Sequence, residues 1–169
     1  MYRNNKDDMP LIFKCIMTSA GLTAGALIIH LVLLIMPVNT SAMMPALNKG
    51  EHILINRLSS PAKGDIAVYS SPAEEGRLLI SRVIGTEYDT VELKERIIYI
   101  NNEPLIMPSS KGAENLLPMK FSFRDNMPPV KLQRGEYFML SDNFNYAFDS
   151  RSFGPVKSGN ITGRVIYKK

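Results

Sequence analysis

Residues 78–105 read LLISRVIGTEYDTVELKERIIYINNEPL, and this stretch indicates the fold of most of the chain. It consists of short runs in which apolar and polar side chains alternate, the pattern of half-buried strands. Asn101 and Asn102 stand between two of these runs, and asparagine tolerates the positive φ angles that a tight hairpin turn requires. The stretch therefore predicts antiparallel strands joined by a hairpin turn at these asparagines.

Strand-like alternation continues on both sides of this stretch. Further segments of this kind lie at residues 51–58, 64–70, 135–142 and 159–169, separated by Gly, Pro, Asn and Asp. No segment with helical periodicity of comparable strength occurs among them. The sequence thus predicts a mainly β fold whose main part is an antiparallel β-sheet domain.

Residues 106–133 interrupt the strand pattern. They contain Pro, Ser and Gly without a clear period, which predicts a long surface excursion. One further strand is predicted inside this excursion, at the segment KFSF.

A long apolar run precedes the strands. Residues 15–38 contain two ionisable side chains, Cys15 and His30, and as a helix they would extend roughly 36 Å, enough to cross a hydrocarbon core of about 30 Å. A cleaved secretory signal peptide is the competing interpretation, but the length of the run favours a retained transmembrane anchor. Basic residues at its start then place residues 1–14 in the cytoplasm and residues 39–169 outside, as a single-pass protein of the cell membrane.

Composition argues against several classes of partner and site. The net charge is +4 and the basic residues are dispersed, so the chain offers no block suited to the phosphates of a nucleic acid. The single cysteine, Cys15, permits no internal disulfide. No Cys, His and carboxylate spacing indicates a metal site, and no cofactor is expected.

Three segments, in a fixed order, carry recognisable motifs. Residues 41–57, SAMMPALNKGEHILINR, resemble the S-M-x-P-T-L-x-x-G-D box of type I signal peptidases. Residues 81–105, SRVIGTEYDTVELKERIIYINNEPL, resemble their K-R-V-I-G-x-P-G-D box and the strand pair after it. Residues 140–156, LSDNFNYAFDSRSFGPV, resemble their G-D-N-x-x-x-S-x-D-S-R-x-x-G-x-V box. With the apolar run in front of the first box, the chain is similar to that family along essentially its whole length.

The resemblance implies a β-rich outer domain with a serine–lysine dyad that removes signal peptides from exported proteins. In such a dyad the lysine is desolvated, so that its pKa falls and its neutral amine can take the serine proton. Carried onto this sequence, the nucleophile falls on Ala42, the general base on Ser81, and the serine that orients the lysine amine on Ala147. The resemblance therefore implies a degenerate site, and the chain is expected to be noncatalytic.

Other positions of the boxes keep the residue types of the family. The expected structural residues are Arg82, Asp142, Asn143, Asp149, Ser150 and Arg151. Among them, the resemblance implies a salt bridge between Arg82 and Asp149 beneath the site. The residues expected to line the substrate cleft are Ser41, Met43, Met44 and Pro45. Ser41 as a shifted nucleophile is the alternative, but a slip of one residue on a strand turns a side chain to the opposite face.

These features lead to three functional hypotheses. The first is a membrane-anchored, noncatalytic protein that binds or chaperones an exported preprotein, taken up as an extended strand. It is similar to catalytically incomplete signal-peptidase-like proteins of Gram-positive bacteria, some of which assist pilus assembly with a sortase, and this makes a pilin one candidate substrate. The second is a signal peptidase with an altered or engineered dyad. The third is a structural subunit that docks on an active signal peptidase, a sortase or another membrane protein through the small-residue face of Gly21 and Gly25.

Overall fold

The computed structural model describes residues 10–105, 126–145 and 148–169. Over these ranges the fold is mainly antiparallel β behind an N-terminal helix, and the predicted fold class is confirmed for the β domain. The KFSF segment and most of the predicted excursion lie outside the described residues, and so does Ala147.

Two helices and eleven strands make up the described part of the chain. In chain order they are α1 (Leu11–Val32), β1 (Leu33–Pro37), β2 (His52–Asn56), β3 (Ile66–Ser70), β4 (Leu78–Gly85), β5 (Thr90–Lys94), β6 (Ile97–Ile100), β7 (Glu103–Leu105), β8 (Met127–Lys131), β9 (Glu136–Leu140), α2 (Ser150–Phe153), β10 (Val156–Lys157) and β11 (Ile161–Lys168). A short 3-10 turn, Ser158–Asn160, joins the last two strands.

The N-terminal helix has different bounds from the apolar run that predicts it. α1 ends at Val32, and Leu33–Pro37 pair with β2 as a strand. The predicted helix over residues 15–38 is therefore wrong at its end, because a short apolar strand cannot be told from helix by hydrophobicity alone. Leu34 and Met36 pack against buried side chains of the sheet, and this packing favours a strand over a continued helix. Among the described residues, no helix is long and apolar enough to cross a membrane.

The strands form two sheets. The larger has seven strands in the order β1-β2-β11-β3-β4-β9-β10, and the smaller has four in the order β7-β6-β5-β8. All their pairings are antiparallel. The chain leaves the larger sheet after β4, builds the smaller sheet, and returns as β9 beside β4. The smaller sheet is therefore an insertion between two neighbouring strands of the larger one.

A buried apolar cluster joins the two sheets. It contains Ile84, Val91, Leu93, Ile98, Leu132, Phe138 and Leu140. Gly85 lies at this junction, where a Cβ atom would come within 2.7 Å of Val91 Cγ2 and 3.0 Å of Leu132 Cδ1. The glycine that ends the motif R-V-I-G is therefore required here by close packing.

Two hairpin turns of the smaller sheet use positive φ angles. Asn101 and Asn102 have φ of 52° and 71°, which confirms the turn predicted between β6 and β7. Glu95 and Arg96, between β5 and β6, have φ of 49° and 67°. This second turn carries none of the residues that normally mark such a conformation, so the sequence did not reveal its geometry.

Strand β8 falls in the segment that the sequence marked as excursion. Met127–Lys131 contains two prolines, which remove backbone donors and argue against a central strand. The structure places this strand at one end of the smaller sheet, where proline is tolerated. The two prolines therefore hide the strand pattern in the sequence, although they are compatible with an edge strand.

Candidate functional site

An open cleft of about 370 Å³ lies beside the start of β4. Its walls come from residues within 36–42, from residues 77–80, and from Ser141 and Phe148. Residues of the first and third motifs meet here, together with the strand residues that directly precede the second motif. Ala42 is one of the lining residues.

Hydrogen bonds hold Ala42 in the loop after β1. Its N–H donates to Thr40 Oγ1 at 3.1 Å, and its carbonyl accepts from the Asn143 N–H at 2.8 Å. Asn143 Nδ2 also donates to the Ser41 carbonyl at 3.3 Å. The first and third motifs are thus tied together by Asn143, although Ala42 itself has no side-chain atom that can attack a carbonyl carbon.

Ser81 forms a buried hydrogen bond with a tyrosine of the neighbouring strand. It lies on β4 with 1% of its surface exposed, and its Oγ is 3.1 Å from Tyr69 Oη on β3. Burial raises the pKa of the Tyr69 phenol well above its usual value, although the hydrogen bond with Ser81 opposes this. Two neutral hydroxyls therefore meet where the resemblance implies a lysine amine, and neither is an effective base near pH 7.

Two ion pairs support the site, and their partners differ from the expected pair. Arg82 donates to Asp142 through Nε and Nη2 at 2.7 and 2.6 Å, and its Nη1 donates to the Gly64 carbonyl. Asp149 is paired instead with Arg151, at 2.9 and 2.7 Å. The predicted Arg82–Asp149 salt bridge is wrong because Arg82 lies opposite the end of β9, where Asp142 follows within two residues.

The D-S-R letters of the third motif have structural contacts. Asp149 is the N-cap of α2 and accepts hydrogen bonds from the backbone N–H groups of Ser141 and Arg151. Ser150 Oγ accepts from the Met139 N–H at 3.0 Å. These contacts bind α2 to the end of β9 and fix the position of Ser141 at the cleft.

Phe144 connects the site to the smaller sheet. The guanidinium carbon of Arg151 is 4.5 Å from the centre of its ring, and that of Arg96 is 5.9 Å away. Arg96 Nη2 also donates to Asn145 Oδ1 at 3.4 Å. The turn between β5 and β6 thus contacts the loop of the third motif, a contact that no sequence signal indicated.

The structure places the four predicted cleft residues elsewhere. Met43 is fully buried in a core cluster, so its assignment to the cleft is wrong. Ser41, Met44 and Pro45 are also absent from the residues that line the described cleft. Thr40 and Ala42 of this loop line the cleft, while Met43 packs inward.

Sequence reasoning also missed several lining residues, among them Thr40, Arg77 and Phe148. The last two are far apart in sequence and belong to no shared motif, so their proximity required the fold. Within the described ranges, no group of three or more His, Cys, Asp or Glu side chains could hold a metal ion.

Comparisons with known proteins agree with the geometry. The family model described as signal peptidase, peptidase S26, matches residues 11–168, a range that includes all three motifs. Signal peptidase I V of Bacillus subtilis (strain 168) is 32% identical over 133 residues, which cover 73% of this chain and 78% of the relative. Signal peptidase I of Bacillus caldolyticus is 31% identical over 140 residues, which cover 78% of this chain and 76% of that protein.

A solved structure shows the same fold. The crystal structure of a signal peptidase I from Enterococcus faecalis V583 is 28% identical in sequence, with a TM-score of 0.54. The similarity covers 64% of this chain and 98% of that chain. The match in sequence and the match in structure thus lead to the same family.

Proposed function

Because this chain belongs to the signal peptidase family, peptidase S26, we propose that it binds an extended segment of an exported preprotein and holds that segment without cutting it. Family membership and the names of the relatives support the choice of an exported preprotein as the bound molecule. The observation that carries the proposal is an open cleft with Ala42, rather than a nucleophile, in its wall.

The chemistry of the cleft supports binding without cleavage. Peptide hydrolysis by this type of site needs a nucleophile and a base in contact with each other. Ala42 supplies no nucleophile, and the Ser81 hydroxyl is neutral, buried and bonded to Tyr69. In a serine protease, loss of the nucleophile or the base costs on the order of a millionfold in turnover.

Part of β4 offers an open edge for such a segment. Its first residues, 78–81, pair with β3 on one side. On the other side, pairing with β9 begins only at Arg82. Residues 78–80 line the cleft, so among the described strands this edge is free where the cleft begins. An extended peptide can add to such an edge through main-chain hydrogen bonds.

The proposal includes a location at the outer surface of a membrane. In it, the N-terminal apolar segment anchors the chain as a single-pass protein, residues 1–14 are cytoplasmic, and residues 39–169 form the outer domain. The helix passes directly into β1 without a linker, and Met36 and Pro37 of that strand line the cleft. The cleft would therefore lie close to the membrane surface, where a preprotein emerges.

Photo-crosslinking from the cleft tests this function. A photoreactive amino acid at Leu78, which lines the cleft and is 45% exposed, is compared with one at Tyr88, which is 62% exposed and does not line the cleft. In native membranes, the probe at Leu78 should capture a preprotein that still carries its signal peptide, while the probe at Tyr88 should not. Equal capture by both probes, or capture of mature protein alone, would contradict the proposal.

A second candidate is a signal peptidase with an altered dyad. The names of the relatives favour it, because they are signal peptidases. Ser41 next to Ala42 is then the hydroxyl to test, although its carbonyl is bound by Asn143. Turnover of a preprotein by the unmodified chain in detergent, abolished by Ser41→Ala, would support this candidate against the first.

The narrowest forms of the hypothesis name the cargo and a membrane partner. A pilin, handled with a sortase, is the cargo that the resemblance suggests. Docking on a sortase or another membrane protein would use the face of Gly21 and Gly25, where an added Cβ meets nothing within 4 Å. Gly21→Leu and Gly25→Leu should therefore spare the fold, and unchanged co-purifying partners would exclude this docking face.

A further inference from the structure

Arg77 gives the cleft a single positive charge. Among the described residues that line the cleft, it is the one ionisable side chain, and the others are apolar or carry a neutral amide or hydroxyl. Its side chain is 50% exposed, so it borders the cleft and also contacts solvent. A bound segment would meet this guanidinium at the start of β4.

An aromatic wall supports the Arg77 side chain. Its guanidinium carbon lies 4.7 Å from the ring centre of Phe148. Phe148 packs edge to face against Phe153 of α2, with ring centres 5.6 Å apart. A guanidinium held over a ring leaves its N–H donors available to other partners, and these donors can bind a carboxylate in a forked geometry. The wall therefore orients Arg77 as a ready anion receptor.

One carboxylate already contacts this guanidinium. Glu74 Oε2 accepts a hydrogen bond from Arg77 Nη1 at 2.6 Å, and the Glu74 side chain is 47% exposed. Among the described residues, Glu74 is the one acceptor bonded to the Arg77 side chain, which has five N–H donors. Donors remain for a second carboxylate, and an exposed pair such as this one is weak enough to rearrange.

We propose that Arg77 selects an acidic side chain in the segment that the cleft binds. The inference rests on the proposed function, since it assumes that an extended peptide lies along the open edge of β4. Arg77 directly precedes that edge, so a peptide added along residues 78–81 passes the guanidinium at one end. A Glu or Asp at that position of the peptide forms charge-assisted hydrogen bonds with the donors that Glu74 leaves free.

Peptide binding to the full chain in detergent tests this inference. The probes are fluorescent peptides of one extended, alanine- and valine-rich host sequence, with a single Glu or Gln placed at each position in turn. At one position the Glu peptide should bind about two- to fivefold more tightly than the Gln peptide, the range expected of a partly exposed ion pair. Added salt should reduce this ratio.

Three variants assign the ratio to its residue. Arg77→Gln should bring the Glu to Gln ratio to one, and using a ratio within each variant cancels any general loss of affinity. Glu74→Gln should increase the ratio, because the competing carboxylate is gone. Arg134→Gln, the matched control at an exposed arginine outside the cleft lining, should keep the ratio of the unmodified chain.

The outcomes separate this inference from the function on which it rests. Equal binding of Glu and Gln peptides at every position, or a ratio that survives Arg77→Gln, would overturn the inference while peptide binding itself stands. Absence of binding by all peptides, the Gln peptides included, would overturn the proposed function together with the inference.

Discussion

At the scale of single residues, Ser81 forms a buried hydroxyl pair with Tyr69 at the position where the resemblance implies a lysine amine. Each hydroxyl is buried and each satisfies the other at 3.1 Å. A buried polar group without a partner is costly, so the pair keeps this part of the sheet stable without a charged base.

Removing one hydroxyl of the pair should destabilise the fold, and removing both should cost less than the sum of the two single losses. Tyr69→Phe and Ser81→Ala each leave the other hydroxyl buried without its partner, and each should lower the free energy of unfolding by about 1–2 kcal/mol. The double variant should lose less than the sum of the two. Urea unfolding of the four proteins measures this coupling, and strictly additive losses would show that the hydrogen bond contributes nothing.

The sequence located some residues of the site better than others. Ala42 and Ser81 were found because each occupies a fixed place in a motif. Met43 was misplaced because a loop without regular alternation gives no rule for which side chain turns inward. The contact between Arg77 and Phe148 could not be predicted from sequence, because only the fold brings the guanidinium carbon to 4.7 Å from the ring centre.

At the scale of strands, the sequence predicts central strands better than edge strands. The strands predicted from alternation are present, whereas β1 was hidden in the apolar run and β8 by its prolines. Local periodicity therefore predicts the central strands well, but an edge strand depends on neighbours that local sequence does not reveal.

Gly85→Ala should weaken the junction between the sheets. The added methyl group would press on Val91 and Leu132, and overpacking of this kind costs about 1–3 kcal/mol. The matched control is Gly159→Ala, where a Cβ atom meets nothing within 4 Å. Urea unfolding should show the loss at Gly85 alone, and equal stability of the two variants would contradict this account of the junction.

Asp89 makes the same junction sensitive to acid. It accepts hydrogen bonds from Thr86, from Asn101 in the turn after β6, and from Lys63 before β3. Burial alone would raise the pKa of this carboxyl, but the bonds from Thr86, Lys63 and Asn101 outweigh burial and lower it. Its stabilising effect is therefore present above the unfolded-state pKa and is lost as pH falls through the folded-state pKa.

This effect can be measured with one isosteric change. The unfolding free energy of the unmodified chain should fall between about pH 5 and pH 3, around the ordinary carboxyl pKa and below it. Asp89→Asn should be less stable near pH 7 and should show a shallower decrease over the same range. If both proteins have the same pH profile, Asp89 is not the group that makes the unfolding free energy fall in acid.

For the molecule as a whole, the framework of a signal peptidase surrounds a cleft that has Ala42 in its wall. The ion pairs of Arg82 with Asp142 and of Asp149 with Arg151 remain beside an open space that Ala42 lines. Under the proposed function, this framework holds a peptide without cutting it.

Restoring both reacting groups should therefore produce cleavage. Ala42→Ser combined with Ser81→Lys should release signal peptide from a preprotein at least about tenfold faster than either single change, because nucleophile and base act as a unit. Gel analysis of a labelled preprotein measures this rate. No gain in the double variant would contradict the view that this framework needs only these two reacting groups to cleave a preprotein.

The most direct measurement of the central claim follows one labelled preprotein, mixed with the purified full chain in detergent, for both binding and cleavage. Binding is measured by fluorescence anisotropy, and the same samples are analysed by mass spectrometry. We expect saturable binding and a preprotein that remains intact through prolonged incubation. Release of mature protein by the unmodified chain, abolished by Ser41→Ala, would contradict the account and identify an active peptidase.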